Sequence, residues 1–163
     1  VTGVQTCALP IWKRDGWVAD MICALKGQKY FRWFDSGDCY HPLLAAKILQ
    51  VMQATPETKH WLPTKSYKIP RIRIILEQMK TLANVSVRFS SDSMIGEYDA
   101  DHGSTVVPYA ETPTKATMCE AYTRDGKCGD CRACWNKSVA VVAYPAHGSR
   151  MMAMVRRMNK KAA

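Results

Sequence analysis

Three absences narrow what this chain can be. The sequence has no run of roughly 18 uninterrupted apolar residues, the length that a membrane-spanning helix needs. Its first residues show no basic segment followed by an apolar one, so we expect no secretory leader. A disulfide framework is not expected, because there is no secretory leader and because seven cysteines are an odd number. We expect a soluble protein without membrane contact, in a reducing compartment where clustered cysteines more often bind metal.

The signatures of several common enzyme classes are also missing. Ser36 lies in SGD and not in a G-x-S-x-G elbow, no G-x4-G-K-[ST] phosphate loop occurs, and the four histidines do not cluster at zinc-ligand spacing. We expect His41 at the start of a helix and His102 in a turn. His147 follows a predicted strand, which makes it the best candidate for a histidine that titrates or ligates near neutral pH.

Acidic residues are scarce relative to basic ones. The chain has 14 Asp and Glu against 23 Lys and Arg, a formal net charge of +9. Such an imbalance favours an anionic partner such as nucleic acid or phosphate. No helix-turn-helix and no ordered series of aromatic and basic residues of the RNA-binding kind is visible. We expect the basic C-terminal segment RMMAMVRRMNKKAA to be a solvated helix.

Apolar spacing predicts alternating strands and helices. The positions of Val18, Met21, Ile22 and Leu25 indicate a helix that ends at Gly27. Further helices are predicted in HPLLAAKILQVMQATP and IPRIRIILEQMKTLA, and strands in YFRWF, HWLPTKS, VSVRFSS, STVVPY and SVAVVAYPAH, with the second of these strands ending at its proline. This alternation predicts an α/β fold, either a partial barrel or an open, mostly parallel sheet of βα units.

Polar residues collect at the ends of the predicted strands. Ligands of parallel α/β folds bind beyond the carboxyl ends of the strands, so these residues would face one cleft. Taken singly, each is also an ordinary turn former or N-cap. Arg88 lies within a predicted strand and would need a partner such as Asp35, Asp38 or Asp92. Our candidates for catalysis or substrate binding are Asp35, Ser36, Asp38, Lys65, Arg88 and His147.

A cysteine-rich segment, residues 119–135, precedes the last predicted strand. Cys119, Cys128, Cys131 and Cys134 follow the pattern C-x8-C-x2-C-x2-C, and thiolates two residues apart can reach one metal centre. The continuous run C-x2-C-x2-C, with Gly129 in its turn, favours an iron-sulfur cluster. Zinc remains the alternative cofactor, and free or disulfide-bonded cysteines remain the alternative without metal.

The first eleven residues, VTGVQTCALPI, have neither helical nor strand periodicity and carry no charged side chain. They resemble a translated sequencing-library adapter, which is a common contaminant of metagenomic gene calls. We therefore predict that residues 1–11 are an artefact and that residues 12–163 form a single α/β domain, a fragment whose natural N-terminal part is missing.

The order of motifs resembles one family. FRWFDSGD, HWLPTKS, VSVRFSS, STVVPY, CGDCRACW and VAYPAH occur in this order between Trp17 and Gly148, as in the gene product 88 family of mycobacteriophages and their relatives in other phages and bacteria. The resemblance implies a phage-encoded protein of the bacterial host cytoplasm. Longer members of the family carry an additional cysteine-rich segment upstream, which is absent here.

Two hypotheses for function follow. The first is an enzyme with a small or nucleotide-like substrate, bound in the strand-end cleft near a cysteine-bound iron-sulfur cluster. The second is a non-enzymatic phage protein that binds nucleic acid and uses the four cysteines for a structural zinc site.

Overall fold

The computed structural model describes residues 11–34 and 37–162. Four α-helices and six β-strands occur in this part of the chain, together with short 3-10 turns. The helices are α1 (Trp17–Leu25), α2 (Pro42–Ala54), α3 (Pro70–Thr81) and α4 (Ser149–Ala162). The strands are β1 (Tyr30–Arg32), β2 (Lys59–Thr64), β3 (Val85–Phe89), β4 (Ser104–Val107), β5 (Thr117–Met118) and β6 (Val142–Pro145).

The strands form two parallel sheets that meet at one point. The first sheet has the order β1-β2-β3 and the second β4-β6-β5, and every described pairing is parallel. A parallel bridge between Ser90 and Ser104 joins the end of β3 to the start of β4. This arrangement confirms the predicted α/β class. None of the helices in the described ranges is long and apolar enough to cross a membrane.

Helices α1, α2 and α3 cover one face of the first sheet, which we call the helix face. Because side chains alternate along a strand, Leu62, Val87 and Phe89 point to this face and join the buried apolar residues of the three helices. Helix α2 begins as predicted, with Pro42 in its first turn and the His41 ring accepting a hydrogen bond from the Leu43 amide at 3.1 Å. This face carries the main apolar core.

The opposite face of the sheet, which we call the cysteine face, carries the alternate residues of β2 and β3. Trp61, Ser86 and Arg88 belong to it and are all buried. A 3-10 turn at Ala133–Trp135, the end of the cysteine-rich segment, packs on β2 and β3. The cysteine-rich segment therefore shields this face from water, whereas helices shield the helix face.

The sequence prediction for Pro63 needs correction. Pro63 does not end its strand, since the β2–β3 register continues through Thr64 and Phe89. The backbone groups of Pro63 point toward β1, as do those of Trp61, whose carbonyl accepts a hydrogen bond from the Trp33 amide. Strand β1 ends before it reaches Pro63. No ladder donor is required there, so proline is tolerated. Strand β5 has only two residues and was not predicted.

Candidate functional site

Cys134 is the most enclosed sulfur of the predicted ligand set. It is 7% exposed and packs with Trp61 of β2 and Val142 of β6. Its sulfur lies 3.1 Å from the Tyr144 hydroxyl. Burial raises the pKa of the Cys134 thiol, while the Tyr144 hydrogen bond and the positive charge of Arg88 oppose this shift. Burial likewise raises the pKa of Tyr144 well above its ordinary value. Burial outweighs both, and the Cys134 thiol is therefore protonated near neutral pH.

The other three cysteines are positioned differently. Cys119 continues β5, where its amide donates to the Ala143 carbonyl. Cys119 and Cys128 are half-buried. Negative charge on either thiol raises the pKa of Cys134, so both lie in the electrostatic neighbourhood of Cys134. Cys131 is exposed in the turn between Cys128 and Cys134. All six cysteines of the described residues are free thiols.

The predicted four-sulfur ligand set is not closed in this structure. In residues 11–34 and 37–162, no three or more His, Cys, Asp or Glu side chains are grouped so that they could hold a metal ion. The exposed Cys131 accounts for part of this, because its turn would have to fold inward to bring its sulfur to the others. Gly129 in this turn has φ +53°, a conformation that glycine adopts without strain. The donor chemistry suits a metal, although the loop is open.

The indole of Trp61 places a buried hydrogen-bond donor close to these cysteines. Trp61 is 6% exposed and packs in the same cluster as Cys134 and Cys119. Its Nε1–H makes no hydrogen bond to any described residue. Orphaned buried donors are rare in native proteins, and each one calls for an explanation. By contrast, the neighbouring Trp135 donates its Nε1–H to the Phe31 carbonyl at 3.0 Å. A sulfur-bound group beside Cys134 would supply Trp61 with an acceptor.

Arg88 connects the sheet to the cysteine-rich segment. It is 2% exposed, and burial lowers its pKa without removing its charge. Its partners in the described residues are backbone carbonyls and not Asp38 or Asp92, which bind elsewhere. Gly103 approaches so closely that a Cβ there would lie 2.9 Å from the Arg88 Cα. The guanidinium donates to the carbonyls of Ala133 (2.7 Å), Cys134 (2.9 Å), Asn136 (2.9 Å), Gly103 (3.0 Å), Val139 (3.0 Å) and Ala140 (3.3 Å).

The structure brings some of the predicted strand-end residues together. The Asp38 carboxylate accepts hydrogen bonds from the Thr64 hydroxyl (2.6 Å), the Lys65 amide (2.6 Å) and the Cys39 amide (2.7 Å). Lys65 also forms a 3.0 Å ion pair with Asp92. Asp35 and Ser36 lie outside the described residues. Asp38 therefore ties the chain after β1 to the end of β2, and the catalytic role of these side chains stays a prediction.

Lys68 completes the exposed charge cluster at this edge. It pairs with the Asp92 carboxylate that also binds Lys65. Hydrogen bonds from Lys68 and then Lys65 lower the pKa of Asp92 to about 2. Asp92 therefore remains ionised at any pH where the protein would be handled.

Two histidines lie at the carboxyl edge of the strands. His147 is exposed after β6, with its Nδ1 3.1 Å from the Pro145 carbonyl oxygen. His102 occupies the predicted turn, where its Nδ1 accepts from the Asp99 amide at 3.0 Å. This leaves His102 Nε2 to donate to the Tyr67 hydroxyl at 3.0 Å, and Tyr67 donates to the Ser90 carbonyl. The His102–Tyr67 pair was not predicted, because the two residues are 35 positions apart.

His60 has a structural role that the sequence does not reveal. It is fully buried on the helix face, and its Nδ1 accepts from the Trp33 indole at 3.2 Å. Its Nε2 must then carry the proton and donate to the Thr55 hydroxyl at 2.9 Å, which donates to Val51. Burial lowers the pKa of His60 to about 4, against a smaller opposing effect of the hydrogen bond with Thr55. The ring is therefore neutral at physiological pH.

Two adjoining cavities lie beside the first sheet, one at its amino-terminal edge and one along β3. The larger, about 370 Å³, is lined by Tyr30, Lys59, Ala83, Arg132, Trp135, Asn136 and Lys137. The other, about 210 Å³, is lined by Lys80, Val85, Ser86, Val87, Arg88, Gly103, Lys137, Val139 and Ala140. Tyr30, Lys59 and Val85 are the first residues of their strands. The larger cavity is therefore at the opposite edge from the predicted strand-end cleft, whereas the other extends along β3 as far as Arg88.

Comparison with known proteins agrees with the motif order. A family model described as gene product 88 matches residues 5–137, which is most of the 163-residue chain. The match includes FRWFDSGD and CGDCRACW, whereas VAYPAH lies beyond its end. It begins within residues 1–11, whose origin in an adapter stays a prediction. No curated protein and no solved structure matches the chain. The chain belongs to the gene product 88 family.

Proposed function

We propose that this protein binds one metal centre through Cys119, Cys128, Cys131 and Cys134 on the cysteine face of its sheet. The observation that carries the proposal is the orphaned indole N–H of Trp61 beside the buried Cys134. Four thiols on a short segment supply suitable ligands, and Cys119 and Cys128 already lie in the electrostatic neighbourhood of Cys134. An iron-sulfur cluster is the first choice because of the continuous C-x2-C-x2-C run, and zinc is the alternative.

Loading would change the protonation of the site and the shape of its loop. A metal ligand must be a thiolate, so binding would release the proton that burial keeps on Cys134. Cys131 would have to leave the surface and join the other three sulfurs. Arg88 holds the carbonyls of Ala133 and Cys134, so the last ligand is already anchored to the sheet. Such a site folds further when the centre binds.

The chemistry that the centre supports depends on its identity. An iron-sulfur cluster would supply electron transfer, and zinc would stabilise the loop. In the enzyme hypothesis, Asp38, Lys65 and His147 act at the carboxyl edge of the strands together with Asp35 and Ser36. Arg88 serves as an anchor of the cysteine-rich segment and not as a substrate ligand. A reducing environment such as the bacterial host cytoplasm would suit free thiols.

Metal content tests the proposal directly. The chain, produced with iron and sulfide under anaerobic conditions, is assayed for iron, zinc and acid-labile sulfide and for visible absorbance. Cys134→Ser and Cys128→Ser should lose the centre, whereas Cys23→Ser should keep it, because Cys23 is an exposed residue of α1. A colourless protein with one zinc per chain would select the zinc alternative. Equal metal content in all three variants and the parent would contradict the site.

The Trp61 indole offers a second readout, because replacing it should have different effects in the metal-free and the loaded protein. Trp61→Phe removes an unsatisfied donor from the metal-free protein, so its cost there should be limited to the loss of indole volume. In the loaded protein the same change removes a hydrogen bond to sulfur and should shift the visible absorbance and lower the reduction potential. Trp135→Phe is the control, because its indole already has an acceptor. Identical shifts in both variants would show that Trp61 does not contact the centre.

A further inference from the structure

The larger cavity at the amino-terminal edge has a strongly one-sided charge. Lys59, Arg132 and Lys137 line it, Lys80 lines the adjoining cavity, and Lys137 belongs to both. No Asp or Glu is among the described residues that line either cavity. A concave site whose charged side chains are all positive attracts anions more strongly than scattered surface charges do. The walls of this cavity therefore suit a ligand that carries phosphate.

The three cations differ in how firmly they are held. Arg132 donates to the carbonyls of Gly129 and Cys131, and Lys137 donates to those of Lys80 and Leu82 at the end of α3. These bonds fix both side chains at the rim without neutralising them. Lys59 is exposed, and although its backbone amide bonds to the Lys29 carbonyl, its side chain forms no hydrogen bond or ion pair with a described residue. Its ammonium group is available to an incoming anion.

An aromatic surface lies beside these cations. Tyr30 is 42% exposed, and its ring centroid is 5.6 Å from that of Trp135. The Arg132 guanidinium lies 4.8 Å from the Tyr30 ring centroid. The Trp135 indole is held by its bond to Phe31. Exposed aromatic rings next to basic groups are the platforms on which nucleobases stack, with phosphates on the basic side. An ordinary inorganic anion would use the cations alone and leave this ring unused.

We propose that the cavity between Tyr30, Lys59, Arg132 and Lys137 binds a nucleotide unit, with phosphate at the lysines and base against Tyr30. The unit is a free mononucleotide or part of a single-stranded nucleic acid. Lys59 and Tyr30 belong to β2 and β1, so they can be changed without touching a cysteine. The cavity adjoins the cysteine-rich segment through Arg132 and Trp135, so its test uses changes that lie outside that segment.

The experiment is a fluorescence-anisotropy titration of the full chain with a labelled short oligothymidylate at several KCl concentrations. Lys59→Gln should weaken binding several-fold and reduce the slope of log K against log [KCl] by about one, since one phosphate contact is lost. Tyr30→Leu keeps apolar packing against Trp135 but loses the stacking ring, and it should weaken binding with little change in the salt slope. Lys115→Gln, an exposed lysine in the loop before β5, should bind as the parent does.

Competition identifies the source of the nucleotide. If thymidine monophosphate displaces the labelled strand at a concentration comparable to that of unlabelled strand, the ligand is a free nucleotide. If only the strand competes well, the ligand is single-stranded nucleic acid. The proposal is overturned if neither binds, if inorganic phosphate competes as well as the nucleotide does, or if Lys59→Gln and Lys115→Gln have equal effects. Circular dichroism of each variant verifies that the fold is intact.

Discussion

The segments that cover the two faces of the first sheet are held in place by different interactions. On the helix face, Leu62, Val87 and Phe89 are buried in a continuous apolar core with three helices. On the cysteine face, the apolar cluster around Trp61 and Cys134 is small, and Arg88 binds the covering segment through backbone carbonyls. Burial of apolar area is non-directional and tolerates small shifts, whereas a guanidinium fork requires its acceptors in place. The comparison teaches that a single side chain, that of Arg88, supplies most of the attachment of the cysteine-rich segment to the sheet.

The largest effect is expected from Arg88→Met. The change removes the guanidinium from six carbonyl oxygens, three of which keep a backbone N–H donor, and we expect the free energy of unfolding to fall by about 3 to 5 kcal/mol. We also expect Cys134 to react faster with a thiol reagent in the metal-free protein, because residues 133–140 lose their attachment. Urea titration and the rate of thiol labelling measure the two effects.

Leu62→Ala is the matched change on the helix face. It should cost a similar amount, about 2 to 5 kcal/mol, through the cavity that it leaves in the core. It should not accelerate labelling of Cys134 under conditions where the protein is folded. If Leu62→Ala exposed Cys134 as much as Arg88→Met does, the two faces would not be independent, and the comparison would fail.

The pH dependence of stability tests whether His60, buried on the helix face, is neutral in the folded protein. His60 has a pKa of about 4 in the folded protein and an ordinary value of 6.5 when unfolded. The unfolded chain therefore binds a proton first as pH falls, and stability is lost between about pH 6.5 and pH 4. The loss from this residue amounts to about 3 kcal/mol. His60→Gln does not titrate there, so the difference between parent and variant should shrink on acidification. A constant difference would contradict the buried neutral ring.

The smallest effect is expected at the carboxyl edge of the sheet. Asp38→Asn replaces an acceptor of three hydrogen bonds, and we expect a loss of about 1 to 2 kcal/mol in urea titration. Asp92→Asn is the control, because its exposed ion pairs with Lys65 and Lys68 should not contribute measurably to stability. An unchanged stability of Asp38→Asn would mean that this carboxylate is kept for a ligand and not for the fold.

Local patterns were sufficient for most helices and strands. The apolar spacing around Leu25 and the start of α2 at Pro42 depend on neighbours within a turn or two, and both predictions are confirmed. Cys23 shows the limit of this approach, since it lies within the apolar stretch that ends at Leu25 and yet is exposed. A difference of one position around a short helix turns a side chain by about 100° and decides which side of the core boundary it occupies.

The sequence by itself determined the alternation of strands and helices, the polar character of the strand ends and the spacing of the four cysteines. These features depend on residues close together in the chain. Only the tertiary structure decided that Arg88 binds carbonyls up to 52 positions away, that the Trp61 indole has no acceptor among the described residues, and that Tyr30 and Lys59 share a cavity with Arg132. Each of these depends on which distant backbone segments meet, and a buried polar group takes whichever partner the packing provides.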